Sequence, residues 1–164
     1  MSTFFAELEI DDQLGAGHFG DVWRGRHPVH GEVAVKTLRR ADDEEEGDWE
    51  ARKRDLLAEG QNLAKAEHRN VVRVYEVLEN PEDGSIILVM EYCGGGSLEG
   101  RVQDGPLGLL EIRDRMTEVA SGLRALHHRE MLHRDIKPPN VLLDAAGRAK
   151  IGDFGLVTDD LVYG

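Results

Sequence analysis

GAGHFGDV, residues 15–22, is the stretch on which the fold turns. Its glycines follow the pattern G-x-G-x-x-G-x-V, which two unrelated phosphate-binding arrangements share. In one of them the glycines open a helix whose N-terminus holds a pyrophosphate. Here they run instead into VWRGR (22–26), then HPVHG (27–31), then VAVK (33–36). HPVHG combines Pro and Gly, the composition of a turn. The context is therefore strand–loop–strand, and the glycine stretch reads as a flap of backbone amides folded over phosphates.

Working outward, Lys36 shares a strand face with Ala34, because side chains alternate along a strand. An ammonium group there could pair with phosphate oxygens while Ala34 leaves room for a flat base. Alone, Lys36 would be a lysine snorkelling from an ordinary strand. Glu59 changes the weight. From about Asp48 to Ala66 the pattern is helical, and Leu56, Glu59 and Leu63 fall on one face. A carboxylate on an inward face is expensive unless paired. Lys36 is a fitting partner, and the pair would fix the lysine's head.

Further along, NPEDG (80–84) reads as a turn and IILVM (86–90) as a strand. CGGGS (93–97) is a flexible joint that divides the chain into 1–93 and 94–164, and Ser97 can cap a short helix after it. A longer helix spans about Leu109 to His127, with Leu109, Ile112, Met116, Val119, Leu123 and Leu126 forming an apolar stripe. Two short strands, VLL (141–143) and KIG (150–152), are joined by the turn DAAG.

LHRDIKPPNVLLD (132–144) supplies the second constellation. Asp135, Lys137 and Asn140 lie close together in a loop held by two prolines, and Asp153 follows in IGDFG. Two carboxylates and an amide offer the hard oxygen ligands that Mg²⁺ prefers beside substrate phosphates. One carboxylate would remain free to accept a hydroxyl proton.

GAGHFGDV, VAVK, the helix glutamate, HRDIKPPN and DFG together resemble, in order and spacing, the signature set of eukaryotic-like (Hanks-type) serine/threonine protein kinases. The resemblance runs from about Ile10 to the end, and the unadorned HRDIKPPNVLLD with its short connections suggests the bacterial type. It implies an α+β, protein-kinase-like fold: a complete β-rich N-terminal lobe with one regulatory helix over 1–93, then the first part of a helical C-terminal lobe over 94–164. By the same resemblance Gly15, Gly17 and Gly20 cover the ATP phosphates, Lys36 holds the α- and β-phosphates, and Glu59 orients Lys36. Asp135 matches the catalytic aspartate, and Asn140 with Asp153 matches the ligands of Mg²⁺, for which Mn²⁺ could substitute. Lys137 matches the lysine that steadies the transferring phosphate in serine/threonine kinases. Met90 matches the residue behind the adenine pocket, Glu91 to Cys93 the hinge, and Val22, Ala34 and Leu142 the walls around the base. Leu14 and Ser97 complete the nucleotide-lining set. Leu63, Val74, His133 and Phe154 match residues that link the lobes in active kinases.

Composition bounds the partners. At 164 residues the chain is large enough to bury about 70% of its unfolded surface. A net charge of −12 argues against nucleic acid and against an anionic membrane surface. Cys93, the sole cysteine, excludes an intrachain disulfide. No signal peptide or membrane-spanning run is legible, so a cytoplasmic protein is expected. Seven histidines invite a metal reading, above all His127, His128 and His133, but His133 belongs to the HRD triplet and no histidine metal site is expected. DDEEEGD (42–48) reads as a solvated loop, or as an attractor of basic substrates. Thr158 and Tyr163 lie where kinases are often phosphorylated, with Arg134 as the residue that would pair with such a phosphate.

After DFG the family continues into a segment ending A-P-E and further helices, whereas this sequence ends at Gly164. The expectation is a kinase truncated after DFG, which transfers the γ-phosphate of ATP to Ser/Thr hydroxyls of proteins, itself included. One competing reading is a non-catalytic ATP-binding module that self-associates or binds a partner through the exposed helix 109–127. Another is a small-molecule kinase of the aminoglycoside phosphotransferase type.

Overall fold

The computed structural model describes residues 8–17 and 20–152. They form two compact units. The first comprises the described residues up to Lys65 together with Val74–Tyr92, and the second comprises Ala66–Arg73 and the described residues from Cys93 onward.

In the first unit, β1 (Glu9–Gly17), β2 (Gly20–His27), β3 (Gly31–Leu38), β4 (Val74–Glu79) and β5 (Ile86–Glu91) make one five-stranded sheet in the order β1-β2-β3-β5-β4. Every neighbouring pair is antiparallel. The turns fall where Pro and Gly place them: HPVHG leads from β2 into β3, with Gly31 at φ 73°, and NPEDG leads from β4 toward β5. The left-handed φ at Gly31 is one that a side chain would resist.

Register divides the sheet into two faces, because directly opposed residues and alternate residues point the same way. Val33, Val35, Ile87 and Val89 form a buried cluster on one face, with Leu8 and Tyr75 packed against it. The opposite face carries the row Val22–Lys36–Leu88–Val77 and, beside it, Ala34–Met90–Val74. The helix α1 (Glu46–Ala64) covers this second face. A Cβ added at Gly60 would stand 2.9 Å from Val77 Cγ2, so helix and strand are in close contact there and the Val77 side chain would have to shift to admit it.

α1 buries Trp49, Lys53, Leu56, Gly60 and Leu63, a regular alternation of four- and three-residue steps. The buried Lys53 ammonium is paired with Glu50 at 2.7 Å and with Glu79 on β4 at 2.8 Å. Arg52 holds the approach to the helix: it bonds Glu44 at 2.6 and 2.8 Å and lies over the Trp49 ring. Glu44 is therefore not a freely solvated member of the acidic run. The Arg52 hydrogen bond, and the Ala41 amide it also accepts, hold its carboxyl below the usual range.

The second unit contains α2 (Leu98–Gln103), α3 (Leu109–His127), a single 3₁₀ turn (Pro138–Asn140), and the hairpin β6 (Val141–Leu143) with β7 (Ala149–Ile151). Ser97 caps α2, its Oγ accepting the Gly100 amide at 3.1 Å. Asp144 folds the β6–β7 turn by accepting the amides of Ala146 and Arg148, both at 2.9 Å. The excursion Ala66–Arg73 belongs here because β7 needs a partner on its free edge. Ile151 donates to the Asn70 carbonyl at 2.8 Å, Val72 donates to the Ile151 carbonyl at 2.8 Å, and Asn70 Nδ2 donates to the Ala149 carbonyl at 2.9 Å. A linear division at residue 93 does not anticipate this excursion.

α3 has the limits its apolar spacing implies, but only Val119, Gly122 and Leu126 are buried, all in its C-terminal half. Leu109, Leu110 and Met116 are 86%, 68% and 52% exposed. Glu118 ties this half to the hairpin by accepting the Ala149 amide at 2.7 Å. No helix among the described residues is long and apolar enough to cross a membrane.

Candidate active site

The loop LHRDIKPPN is held from both ends by its own polar side chains. His133 is buried, and its Nδ1 accepts the Asp135 amide at 3.2 Å. The ring proton therefore sits on Nε2, which donates to the Gly152 carbonyl at 2.7 Å. Gly152 in turn donates its amide to the Asn140 carbonyl at 2.9 Å. The residue before Asp153 is thus bonded to both ends of the loop.

Asn140 makes the central contact. Only 2% exposed, it spends both protons of its Nδ2 on Asp135: one on the backbone carbonyl at 2.9 Å, the other on Oδ2 at 2.8 Å. That orientation follows from the 3₁₀ turn, where Pro138 occupies the first position and needs no amide partner. Lys137 Nζ stands 3.3 Å from Asp135 Oδ2. Arg134, between His133 and Asp135, has φ 68°, a left-handed conformation that costs a non-glycine residue about 1–2 kcal/mol. The bonds of His133 and Asn140 on either side supply what holds it there.

The carboxylate, amide and ammonium gathered at Asp135, Asn140 and Lys137 are fit for phosphoryl transfer. Asn140's donors are committed to Asp135, so the atom it can offer a hard cation is its amide oxygen, the ligand type Mg²⁺ selects. Asp135 is half-exposed and can reach a hydroxyl proton. Asp153, the second expected metal ligand, lies outside the described residues, as do Phe154, Thr158 and Tyr163.

The residues expected to line ATP are set out along the first unit's sheet. Gly17 pairs with Gly20 where β1 turns into β2, and Gly15 pairs with Val22. Gly20 is required sterically: a Cβ there would lie 1.8 Å from the Thr37 carbonyl oxygen. Around Gly15 nothing stands within 4 Å of such an atom, so its need for glycine is not set by this chain's own packing. Leu14 is 47% exposed at the sheet's edge. Val22, Ala34, Lys36 and Met90 share one face by register, and Lys36 is only 7% exposed. Glu59 precedes Gly60 on the helix that covers that same face, which puts it on the same side of the sheet as Lys36. Glu91 is half-buried and Cys93 buried, while Ser97 and Leu142 meet through an isolated antiparallel bridge in the second unit.

Residues 8–160 match the family model described as the protein kinase domain. This chain belongs to the protein kinase family. The kinase chain is 36% identical over 158 residues to serine/threonine-protein kinase ssp1 of Schizosaccharomyces pombe, covering 93% of this chain and 24% of that protein. It is 37% identical over 154 residues to serine/threonine-protein kinase ATG1b of Arabidopsis thaliana, covering 91% and 21%. It therefore spans a quarter or less of these curated relatives. The antiparallel sheet with its helix, followed by helices and the β6–β7 hairpin, is the protein-kinase-like α+β arrangement.

Two groups in this kinase chain are not legible from its motifs. Arg24 on β2 pairs with Glu32 on β3 and lies 5.1 Å over the Tyr92 ring, beside Ala34 and Met90. The Glu32 contact raises the Arg24 pKa further above its already high value. The available signal was positional, since Glu32 stands diagonally across the hairpin from Arg24. Asn70 had no signal: it lies in a connection, and its partners come from β7, far away in sequence.

Proposed function

We propose that this chain transfers the γ-phosphate of ATP to serine or threonine hydroxyls of proteins. The observation that carries the reading is the Asp135–Asn140–Lys137 cluster, held by His133 in a loop with a left-handed Arg134. Both relatives bear the name serine/threonine-protein kinase. In this reading Lys36 neutralises the α- and β-phosphates, with Glu59 steadying its head, and Gly15, Gly17 and Gly20 cover them with backbone amides. By the resemblance, Val22, Ala34, Met90 and Glu91, with Leu14, are the adenosine-lining residues of the first unit, and Cys93, Ser97 and Leu142 those of the second. Asn140 and Asp153 would hold Mg²⁺, which supplies charge neutralisation at the β- and γ-phosphates. Asp135 orients the attacking hydroxyl and takes its proton, a step worth about 10²–10⁴ in rate. Lys137, 3.3 Å from Asp135 Oδ2, balances charge on the transferred group.

Incubation with γ-labelled ATP, Mg²⁺ and a basic protein tests this directly. Label should appear on Ser or Thr, and Lys36→Met and Asp135→Asn should each remove it. Undiminished transfer by either variant would sink the assignment. A second reading, an ATP-binding module that acts by association, is favoured by the exposed Leu109, Leu110 and Met116. ATP binding with no transfer to proteins or to aminoglycosides would select it.

A further inference from the structure

Away from the phosphoryl-transfer residues, one cluster has the chemistry of a transition-metal site. His27 closes β2, His30 lies in the turn to β3, and Glu76 lies on β4. Their ligand atoms all fall within 4.8 Å of one another. His27 Nε2 stands 3.7 Å from Glu76 Oε1, and His30 Nε2 stands 3.8 Å from the same oxygen. Ligands on one tetrahedral zinc ion, with bonds of about 2.0–2.2 Å, stand roughly 3.3–3.5 Å apart. The three side chains are therefore close to converged.

They are also restrained. The His30 ring is stacked between His27, with centroids 4.6 Å apart, and Tyr75, at 4.1 Å and 6° between planes. His27 is 5% exposed. We propose that His27, His30 and Glu76 bind a single dication of the zinc class, with water completing the coordination. Two imidazoles and one carboxylate suit Zn²⁺ or its neighbours, whereas Mg²⁺ prefers an all-oxygen shell. The bound ion would clip the β2–β3 turn to β4 across the end of β5, joining strands that are not neighbours in the sheet.

The turn adds a distinctive consequence. His27 Nδ1 accepts the amides of Val29 and His30 at 3.1 and 3.2 Å, so the ring's proton sits on Nε2, the nitrogen facing Glu76. Metal-bound histidine ordinarily carries its remaining proton on the other nitrogen. When the ion takes Nε2, that proton moves to Nδ1, and Nδ1 can no longer accept the two amides. Binding is coupled to release of the Val29 and His30 N–H groups, which adsorption of an ion elsewhere would not cause.

The test is a titration of the chain with Zn²⁺ against a chromogenic chelator, with amide hydrogen exchange measured with and without the ion. One ion should bind per chain, and exchange at Val29 and His30 should quicken on binding. His30→Gln and Glu76→Gln should each weaken binding by at least about tenfold, the loss that even an outer partner of a metal site costs. Excess Mg²⁺ should not compete. Unchanged affinity in both variants, loss of binding on substitution of His127 and His128 instead, or unaltered exchange at Val29 and His30 would each overturn the proposal. The exchange measurement uses the parent chain, so it decides the question even if a variant fails to fold.

Discussion

α1 and α3 are both 19 residues long, and α3 has the more continuous apolar stripe in sequence, yet α1 is the better buried. α1 seats Trp49, Lys53, Leu56, Gly60 and Leu63 along its whole length. α3 buries only Val119, Gly122 and Leu126, and its first two turns carry Leu109 at 86% and Leu110 at 68% exposure. The difference teaches that a periodic stripe specifies the helix but not its cover. α1 meets a sheet already complete on that side, so even an ammonium can be buried there with Glu79 as partner. α3 meets the small hairpin and the 66–73 segment along its second half, while its first turn is tied to α2 by the Arg101–Glu111 pair at 2.9 Å.

The comparison breaks most plainly at single side chains. Leu126→Ala should destabilise the chain by about 2–5 kcal/mol, and Leu63→Ala by a similar amount, since both residues are almost fully buried. Leu110→Ala should stay within about 0.5 kcal/mol. Urea unfolding of the three variants checks this, and a large loss at Leu110 would mean that its face is covered in solution.

The two helical glycines sharpen the contrast. A Cβ at Gly122 would stand 2.5 Å from the Asn70 carbonyl oxygen, a backbone atom engaged with Ile151, so Gly122→Ala should cost roughly 1–3 kcal/mol. At Gly60 the obstacle is the Val77 side chain, 2.9 and 3.0 Å away. Alanine's helical advantage of about 1 kcal/mol offsets much of that clash, leaving Gly60→Ala close to neutral. Thermal unfolding of the pair would refute the distinction if Gly60→Ala proved the more damaging.

The smallest effect concerns the entrance to α1. The folded Glu44 carboxyl is held below its unfolded value, chiefly by Arg52. The Glu44 contribution is present above the unfolded carboxylate range and is lost as pH falls through the lower folded value. It should amount to about 0.5–1 kcal/mol. Arg52→Gln should flatten that part of the stability–pH profile obtained from urea midpoints at successive pH values, and an unchanged profile would remove Arg52 as the cause.

Much of the fold is legible along the chain because its signals are local. The turns at 27–31 and 80–84 follow from Pro and Gly, the strand at 86–90 from its apolar run, and α3 from its spacing. The clustering of Asp135, Lys137 and Asn140 is local too, since a two-proline loop leaves them little freedom. The long-range bonds are a different matter. That Asn140 gives both amide protons to Asp135, that His133 reaches Gly152, and that Asn70 secures β7 cannot be read from spacing. Nor can the meeting of His27, His30 and Glu76, because the glutamate lies on another strand.

The sequence by itself determined the family, the principal turns and the two long helices, and it singled out the residues for which phosphoryl transfer is proposed, since motif spacing and hydrophobic period act over a few residues at a time. Only the tertiary structure decided which stripe is covered, which polar atoms are satisfied and which glycines are indispensable. Those outcomes depend on what the other end of the chain brings within a few ångströms.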